Sequence, residues 1–296
     1  MARIAIIGGG NMGEALLSGI LRAGPDAGPT AQAAASPKDV VVSEKAADRA
    51  EHLSRTYSVR AVSIAEAVEH SAFLILAVKP GDVESVVSEI ALVASRSGPS
   101  TVEQVLVSVA AGVTTAFYEA RLPAGSPVVR VMPNAPALVG AGISALAGGR
   151  FATADQVAAA AELFTGVGHV LVVPESQIDA VTAVSGSGPA YFLLFVEALV
   201  DAGVAAGLSR AVATELAVQT MAGSAAMLLD RRESNAAAPA GRPDTSAAEL
   251  RAMVTSPGGT TAAGLRELER GGLRAAVAAA VDAAKTRSEQ LGITSE

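Results

Sequence analysis

Three stretches of this chain hold residues that could do chemistry, and none is built on a side chain that titrates near neutrality. The first, Gly8-Gly9-Gly10-Asn11-Met12-Gly13, fits G-x-G-x-x-G. In that pattern Gly8 makes a tight turn, Gly10 lets a pyrophosphate approach the backbone, and Gly13 lets a helix pack closely on a strand. A tight turn with no phosphate is the plainer alternative. The second, residues 183–192 (AVSGSGPAYF), places two serines and two glycines before Pro189, which opens a long apolar helix. It reads as the border of an active site or as an interdomain turn with a helix start. The third, Thr255-Ser256-Pro257-Gly258-Gly259-Thr260-Thr261, sets hydroxyls and free amides at a helix N-terminus. That makes an anion site sized for a carboxylate or phosphate, or else a simple cap with Thr260 or Thr261 as the N-cap.

An alcohol dehydrogenase needs a general base with a pKa near neutrality. The histidines, His52, His70 and His169, all lie outside the glycine and hydroxyl motifs and read as structural. No His/Asp/Glu group shows ligand spacing, so no metal site is expected, and the absence of cysteine excludes disulfides and thiolate sites. A nicotinamide enzyme limited to hydroxyls and amides can still reduce a substrate that is already electrophilic, such as a cyclic imine made iminium by protonation. The protein then contributes positioning and a grip on the substrate's charged group.

The elements that must position these stretches follow from periodicity. Residues 3–7 are a short apolar run ending in glycine, and 11–23 have helical spacing: strand, turn, helix. Residues 24–38 read as an exposed loop. The second strand, 39–43, ends in Ser43 where an NAD enzyme usually carries Asp or Glu; Lys45 and Arg49 follow, and a hydroxyl with cations suits a 2′-phosphate, although Glu44 stands beside them. Ordinary surface charges at a helix start are the alternative. Helices are expected over 44–57, 63–70, 82–96, 113–122 and 153–165, and strands over 58–62, 72–78, 105–109, 128–132, 143–147 and 169–173.

Ligands bind beyond the carboxyl ends of parallel strands. Ala77, Val78, Lys79 and Pro80 should therefore border the cofactor, and Ala110 and Ala111, with Gly112, leave space for a flat ring. Asn134, in Pro133-Asn134-Ala135-Pro136, has an amide that can donate and accept. Beyond residue 174 only helices are expected: 176–184, 189–207, 210–230, 247–254, 262–270 and 273–291, with 231–243 a mobile surface loop. The division is thus 1–173, an α/β Rossmann-type dinucleotide-binding domain, and 174–296, an all-helical dimerisation and substrate-binding domain.

Among 296 residues, 50% are hydrophobic but only 3% aromatic, so Ala, Val, Leu and Ile build the core. A net charge of −7 without a basic stripe argues against nucleic acid. The N-terminal apolar run is too short for a signal segment, and the apolar stretch 190–200 falls short of the roughly 20 residues of a membrane span. A soluble, cytoplasmic protein without membrane contact is expected.

The motifs converge on a family. The chain resembles pyrroline-5-carboxylate reductase in I-I-G-G-G-N-M-G, A-V-K-P (77–80), A-A-G (110–112), M-P-N-A-P (132–136), S-G-S-G-P-A-Y (185–191) and V-T-S-P-G-G-T-T (254–261). It departs from that pattern at 246–252, SAAELRA, where the family commonly has His-Pro-Gly-Glu-Leu-Arg-Asp. The resemblance implies reduction of (S)-1-pyrroline-5-carboxylate to L-proline by NADPH, with NADH the alternative. It also implies a homodimer interleaved through the C-terminal helices, often assembled into a decamer. Carried over by position, Gly8, Gly9, Gly10, Asn11, Met12, Ser43, Ala77 to Pro80, Ala110 and Ala111 would hold the nucleotide. Ser256 and the Gly259 and Thr260 backbone would hold the substrate carboxylate, and the Thr261 hydroxyl would bond the ring nitrogen.

Two other readings are open. A β-hydroxyacid dehydrogenase of similar build would place a lysine on the helix after the 185–189 turn, and none occurs between 189 and 207. A non-catalytic NADP-binding sensor would have no use for a second anion site.

Overall fold

The computed structural model describes residues 4–22, 35–96, 104–235 and 246–293. Two compact units emerge, one formed by residues 1–189 together with 281–296, the other by 190–280.

The first unit is an eight-stranded sheet in the order β3-β2-β1-β4-β5-β6-β7-β8. The strands are β1 (Ile4–Ile7), β2 (Val40–Ser43), β3 (Arg60–Ala61), β4 (Phe73–Leu76), β5 (Val105–Ser108), β6 (Val128–Met132), β7 (Gly142–Gly148) and β8 (Gly168–Val172). All neighbours pair in parallel except β6 and β7, which are antiparallel. Helices α1 (Asn11–Arg22), α2 (Ala47–Tyr57), α3 (Ile64–His70), α4 (Val83–Arg96), α5 (Thr115–Glu119) and α6 (Ala154–Thr165) connect them.

The near-continuous apolar strands follow from burial on both faces. On one face Ile4, Ile6, Val40, Val42, Ile75 and Val107 pack with Leu16, Leu17 and Ile20 of α1 and Phe164 of α6. On the other, Ala5, Ile7, Val41, Leu74, Leu76 and Leu106 pack with Val83, Val87 and Ile90 of α4 and Tyr118 of α5. Each such Ile or Leu contributes about 1.5–3 kcal/mol of burial. Ser63, Thr114 and Thr153 start their helices by accepting backbone N–H bonds, Thr153 in a reciprocal capping box with Gln156.

One charged side chain sits inside this apolar sheet. Arg130 of β6 is 3% exposed and faces Glu175 at 3.4 Å and Asp179 at 3.7 Å. Glu175 also accepts the Thr115 N–H at 2.7 Å and hydroxyl at 2.5 Å, and Asp179 accepts the Ser288 hydroxyl at 2.6 Å. A buried guanidinium requires such partners.

From Glu175 onward the described residues form helices joined by short turns, with no strand among them. A short 3₁₀ turn leads into α7 (Ile178–Val181), then a π-helical turn over Thr182–Gly186, then α8 (Gly188–Ala205). The serine–glycine stretch is therefore a widened helical turn rather than an open interdomain loop. Helices α9 (Arg210–Asn235), α10 (Ser246–Met253), α11 (Thr260–Arg270) and α12 (Leu273–Ile293) complete the chain.

Two expectations need correction here. Residues 231–235 continue α9 instead of opening a loop, since Arg and Glu are good helix formers; residues 236–243 of that expected loop lie outside the described residues, as do 24–34 of the earlier one. Further, helical stretches Glu175–Ala205 and Arg210–Arg232 are each long and apolar enough to cross a membrane by length and composition, because helix extends on both sides of residues 190–200.

Candidate functional site

In the first unit, strand register aligns the carboxyl ends that could bind a nucleotide. Ile7 pairs with both Ser43 and Leu76, and Leu76 pairs with Ser108, so the residues that follow β1, β2, β4 and β5 form one row. The sheet order reverses between β1 and β4, the switch point at which open α/β sheets take their ligands. Gly8 sits there with φ +102°, its N–H donating to the Ser43 carbonyl at 2.8 Å, and an added Cβ would lie 2.6 Å from the Ala77 carbonyl oxygen. A Cβ on Gly13 would collide with the Gly8 carbonyl. Around Gly10, by contrast, nothing lies within 4 Å of where a Cβ would be. The loop is thus packed where it meets the sheet and open where a phosphate would enter. Helix α1 begins at Asn11 and its first backbone bond is Glu14 N–H to the Gly10 carbonyl at 2.9 Å. The preceding amides, at Asn11, Met12 and Gly13, have no intrahelical acceptor and lie at the positive end of the helix, where an anion would be favoured. These residues fit a dinucleotide's pyrophosphate.

Ser43 is buried, and Lys45 and Arg49 are both engaged. Lys45 Nζ lies 3.3 Å from both Asp82 carboxylate oxygens, while Arg49 Nε donates to the Gly9 carbonyl at 2.7 Å and its guanidinium pairs with Glu14. Burial raises the pKa of the Glu14 carboxyl, but hydrogen bonds from Arg49 and Tyr57 and the Arg49 charge outweigh it and leave the group below its usual range. Glu44 occupies the position facing the loop. One of its oxygens accepts the Gly9 N–H at 2.6 Å and the other the Ala46 N–H at 2.9 Å.

After β4, Ala77 and Val78 are half-buried and Lys79 and Pro80 exposed. After β5, Ala110 is buried and Ala111 half-buried. Gly112, at φ +79°, leaves room only for a hydrogen against Leu291 of α12, whose Cβ would stand 3.0 Å from an added one. Asn134 lies close to this row in sequence logic but its amide is used within the protein. Its oxygen accepts the Ile143 N–H at 2.9 Å and its nitrogen donates to the Ser185 carbonyl at 3.1 Å.

In the second unit, the Thr255–Thr261 loop turns at Gly258, φ +70°, and the Gly259 N–H closes on the Ser256 carbonyl at 3.0 Å. The N-cap of α11 is Gly259, with no side-chain cap bond, so the cap is neither Thr260 nor Thr261. Both threonines fall in the first turn, ahead of the expected helix start at 262. An uncapped start leaves its first amides available to an external anion, with Ser256, Thr260 and Thr261 exposed around them.

Among the described residues no group of His, Asp and Glu could hold a metal ion. His52 of α2 lies 3.5 Å from Glu14 of α1. The residues that sequence reasoning passed over are Glu14, which holds Arg49, Tyr57, whose hydroxyl donates to Glu14 at 3.0 Å, and the Arg130 cluster; a lone arginine inside the apolar run Val128–Met132 was the only signal of that cluster.

Two family models match, one in each half of the chain. Residues 175–291 match the family model for pyrroline-5-carboxylate reductase dimerisation, and residues 3–112 that for NADP oxidoreductase, coenzyme F420-dependent. The chain is 61% identical to a pyrroline-5-carboxylate reductase of Mycobacterium tuberculosis and 63% identical to one of Mycobacterium leprae, covering 100% of this chain and 99% of each relative. Among solved structures, a pyrroline-5-carboxylate reductase from Coxiella burnetii superposes with a TM-score of 0.83 at 32% identity, covering 98% of both chains. A pyrroline carboxylate reductase from Plasmodium falciparum with NADP bound gives 0.77 at 29% identity and 98% coverage of both. With full-length identity at this level and its helical half matched by the dimerisation model, the chain belongs to the pyrroline-5-carboxylate reductase family.

Proposed function

We propose that this enzyme reduces the cyclic imine (S)-1-pyrroline-5-carboxylate to L-proline, the last step of proline biosynthesis, with NADPH or NADH as the reductant. The nucleotide supplies a hydride to the imine carbon when bound. The chain's own work is to hold two anions. The glycine loop and α1 amides take the pyrophosphate, with Ala77 to Pro80 and Ala110–Ala111 along the same row toward the ring end. Ser256 and the Thr260 amide take the substrate carboxylate, beside a Gly259 N–H held by the Ser256 carbonyl, and the Thr261 hydroxyl bonds the ring nitrogen. Both grips use fixed dipoles, which need no reorganisation as charge shifts during the reaction.

The observation that carries this reading is the uncapped start of α11 at Gly259. Beyond Gly259, whose N–H closes on the Ser256 carbonyl, its first-turn amides lack an intrahelical acceptor, its hydroxyl neighbours are exposed, and no titrating side chain belongs to the motif, as suits an imine that needs little activation.

The helical region forms a dimer, and we infer that dimers assemble further into a decamer in the cytoplasm. Exposure supports the assembly: Phe192, Leu193, Leu194 and Phe195 of α8 are consecutive yet each at least 46% exposed, so partner surfaces must cover more than one face.

The test is to follow loss of NADPH and of NADH absorbance with pyrroline-5-carboxylate on purified protein, with the mass measured by light scattering. Nucleotide binding without oxidation on the imine would remove the activity, and oxidation of 3-hydroxy acids with NAD(P)⁺ in its place would point to the dehydrogenase alternative.

A further inference from the structure

The row of strand ends contains one anion of the protein's own. Ser43 pairs with Ile7, so the next residue, Glu44, lies beside the glycine loop, where the adenosine ribose of a dinucleotide comes to rest in this fold. Its carboxylate is held by two backbone donors, Gly9 N–H at 2.6 Å and Ala46 N–H at 2.9 Å. Those amides, one in the loop and one just ahead of α2, are donors that a phosphate at this place would use. They are already satisfied.

Nor are the two nearby cations free to receive a second anion. Lys45 is paired with Asp82, and Arg49 is spent on Glu14 and the Gly9 carbonyl. Counting these groups alone, three carboxylates face two cations. A ribose 2′-hydroxyl meets here an acceptor fixed in place, whereas a 2′-phosphate meets a like charge and occupied donors.

We propose that Glu44 sets the balance between the two nucleotides: its carboxylate accepts the 2′-hydroxyl of NADH and opposes the 2′-phosphate of NADPH. Ser43, the residue that suggested a phosphate preference in the sequence, precedes the group that decides. The Arg49–Glu14 pair supports the arrangement, since Arg49 anchors the loop carbonyl of the same Gly9 whose amide Glu44 holds.

The inference concerns only the nucleotide half of the proposed reaction, and its test requires no imine, so its failure is distinguishable from failure of the activity. Dissociation constants for NADPH and NADH are measured by calorimetry on the wild-type protein, Glu44→Gln and Asp82→Asn. Glutamine keeps an acceptor for one of the amides and removes the charge. The ratio Kd(NADH)/Kd(NADPH) should rise about tenfold in Glu44→Gln, the size of a screened like-charge repulsion across several ångströms. Asp82→Asn releases Lys45 and should raise the same ratio by about two- to threefold, in keeping with an exposed pair. An unchanged ratio in a folded Glu44→Gln protein overturns the proposal. Should that variant not fold, Asp82→Asn decides alone, and an unchanged ratio there overturns it as well.

Discussion

The carboxamide of Asn134 bridges the Ile143 N–H and the Ser185 carbonyl, fastening the turn after β6 both to the start of β7 and to the π-helical turn. At 9% exposure it serves the fold directly. Asn134→Ala leaves the half-buried Ile143 N–H and Ser185 carbonyl without this partner, which should cost about 1–3 kcal/mol. Urea unfolding should show that loss, while NADPH affinity measured under native conditions changes less than about twofold, well under 1 kcal/mol. A tenfold loss of affinity at unchanged stability would instead make Asn134 a nucleotide contact.

Two glycines of the same loop should behave oppositely. Gly13→Ala forces a methyl into the Gly8 carbonyl and should destabilise by about 1–3 kcal/mol. Gly10→Ala meets open space, so thermal stability should hold; yet the methyl fills the approach to the α1 amides, and NADPH binding should weaken by about tenfold or more. Thermal scans with and without nucleotide separate the two.

Thr261→Ala should lower turnover by about 10- to 100-fold, the worth of a hydrogen bond to a charged partner, with NADPH affinity nearly unchanged. Thr261→Ser, which restores the hydroxyl, should recover most of the rate. Undiminished turnover in the alanine variant would take Thr261 out of the mechanism.

Burial pushes the Tyr118 hydroxyl up to about 12, against a bond to Ser108 and the charge of Arg130 that pull it down. The unfolded chain gives up this proton near the ordinary tyrosine value of 10.0, so between there and about 12 the native state binds more protons than the unfolded one. Stability from this group is therefore whole below the lower value and declines as pH climbs toward the upper, by about 2–3 kcal/mol in all. Unfolding free energies across that window should slope downward in the wild type and less steeply in Tyr118→Phe.

Much of this was legible because some residues carry backbone information. Glycine reports φ and close approach, so the first loop could be placed to the residue, and buried parallel strands announce themselves as unbroken apolar runs, as in Val105–Ser108. What escaped depends on distant partners or on chain direction. Nothing local in residues 142–148 says that β7 runs against β6, and nothing in Arg130 names Glu175 and Asp179. The start of α11 moved because Thr260 and Thr261 suggested a cap by type, while Gly259 holds the cap by conformation. At β2 the spacing pointed to Ser43, and nothing local announced that the next residue, Glu44, would hold the Gly9 amide.

The first unit draws on both ends of the chain: residues 281–296 belong with 1–189, and Ser288 is bonded to Asp179 across 109 positions. A ribosome making this protein therefore releases all eight strands long before the segment that finishes their unit exists. Until that last helix emerges, Gly112 lacks the cover of Leu291 and Asp179 lacks its hydroxyl donor. Nascent chains halted before residue 281 should accordingly be cleaved by proteases near residues 112 and 179 more readily than the finished polypeptide, and tags fused at the carboxyl terminus act on the older half of the protein.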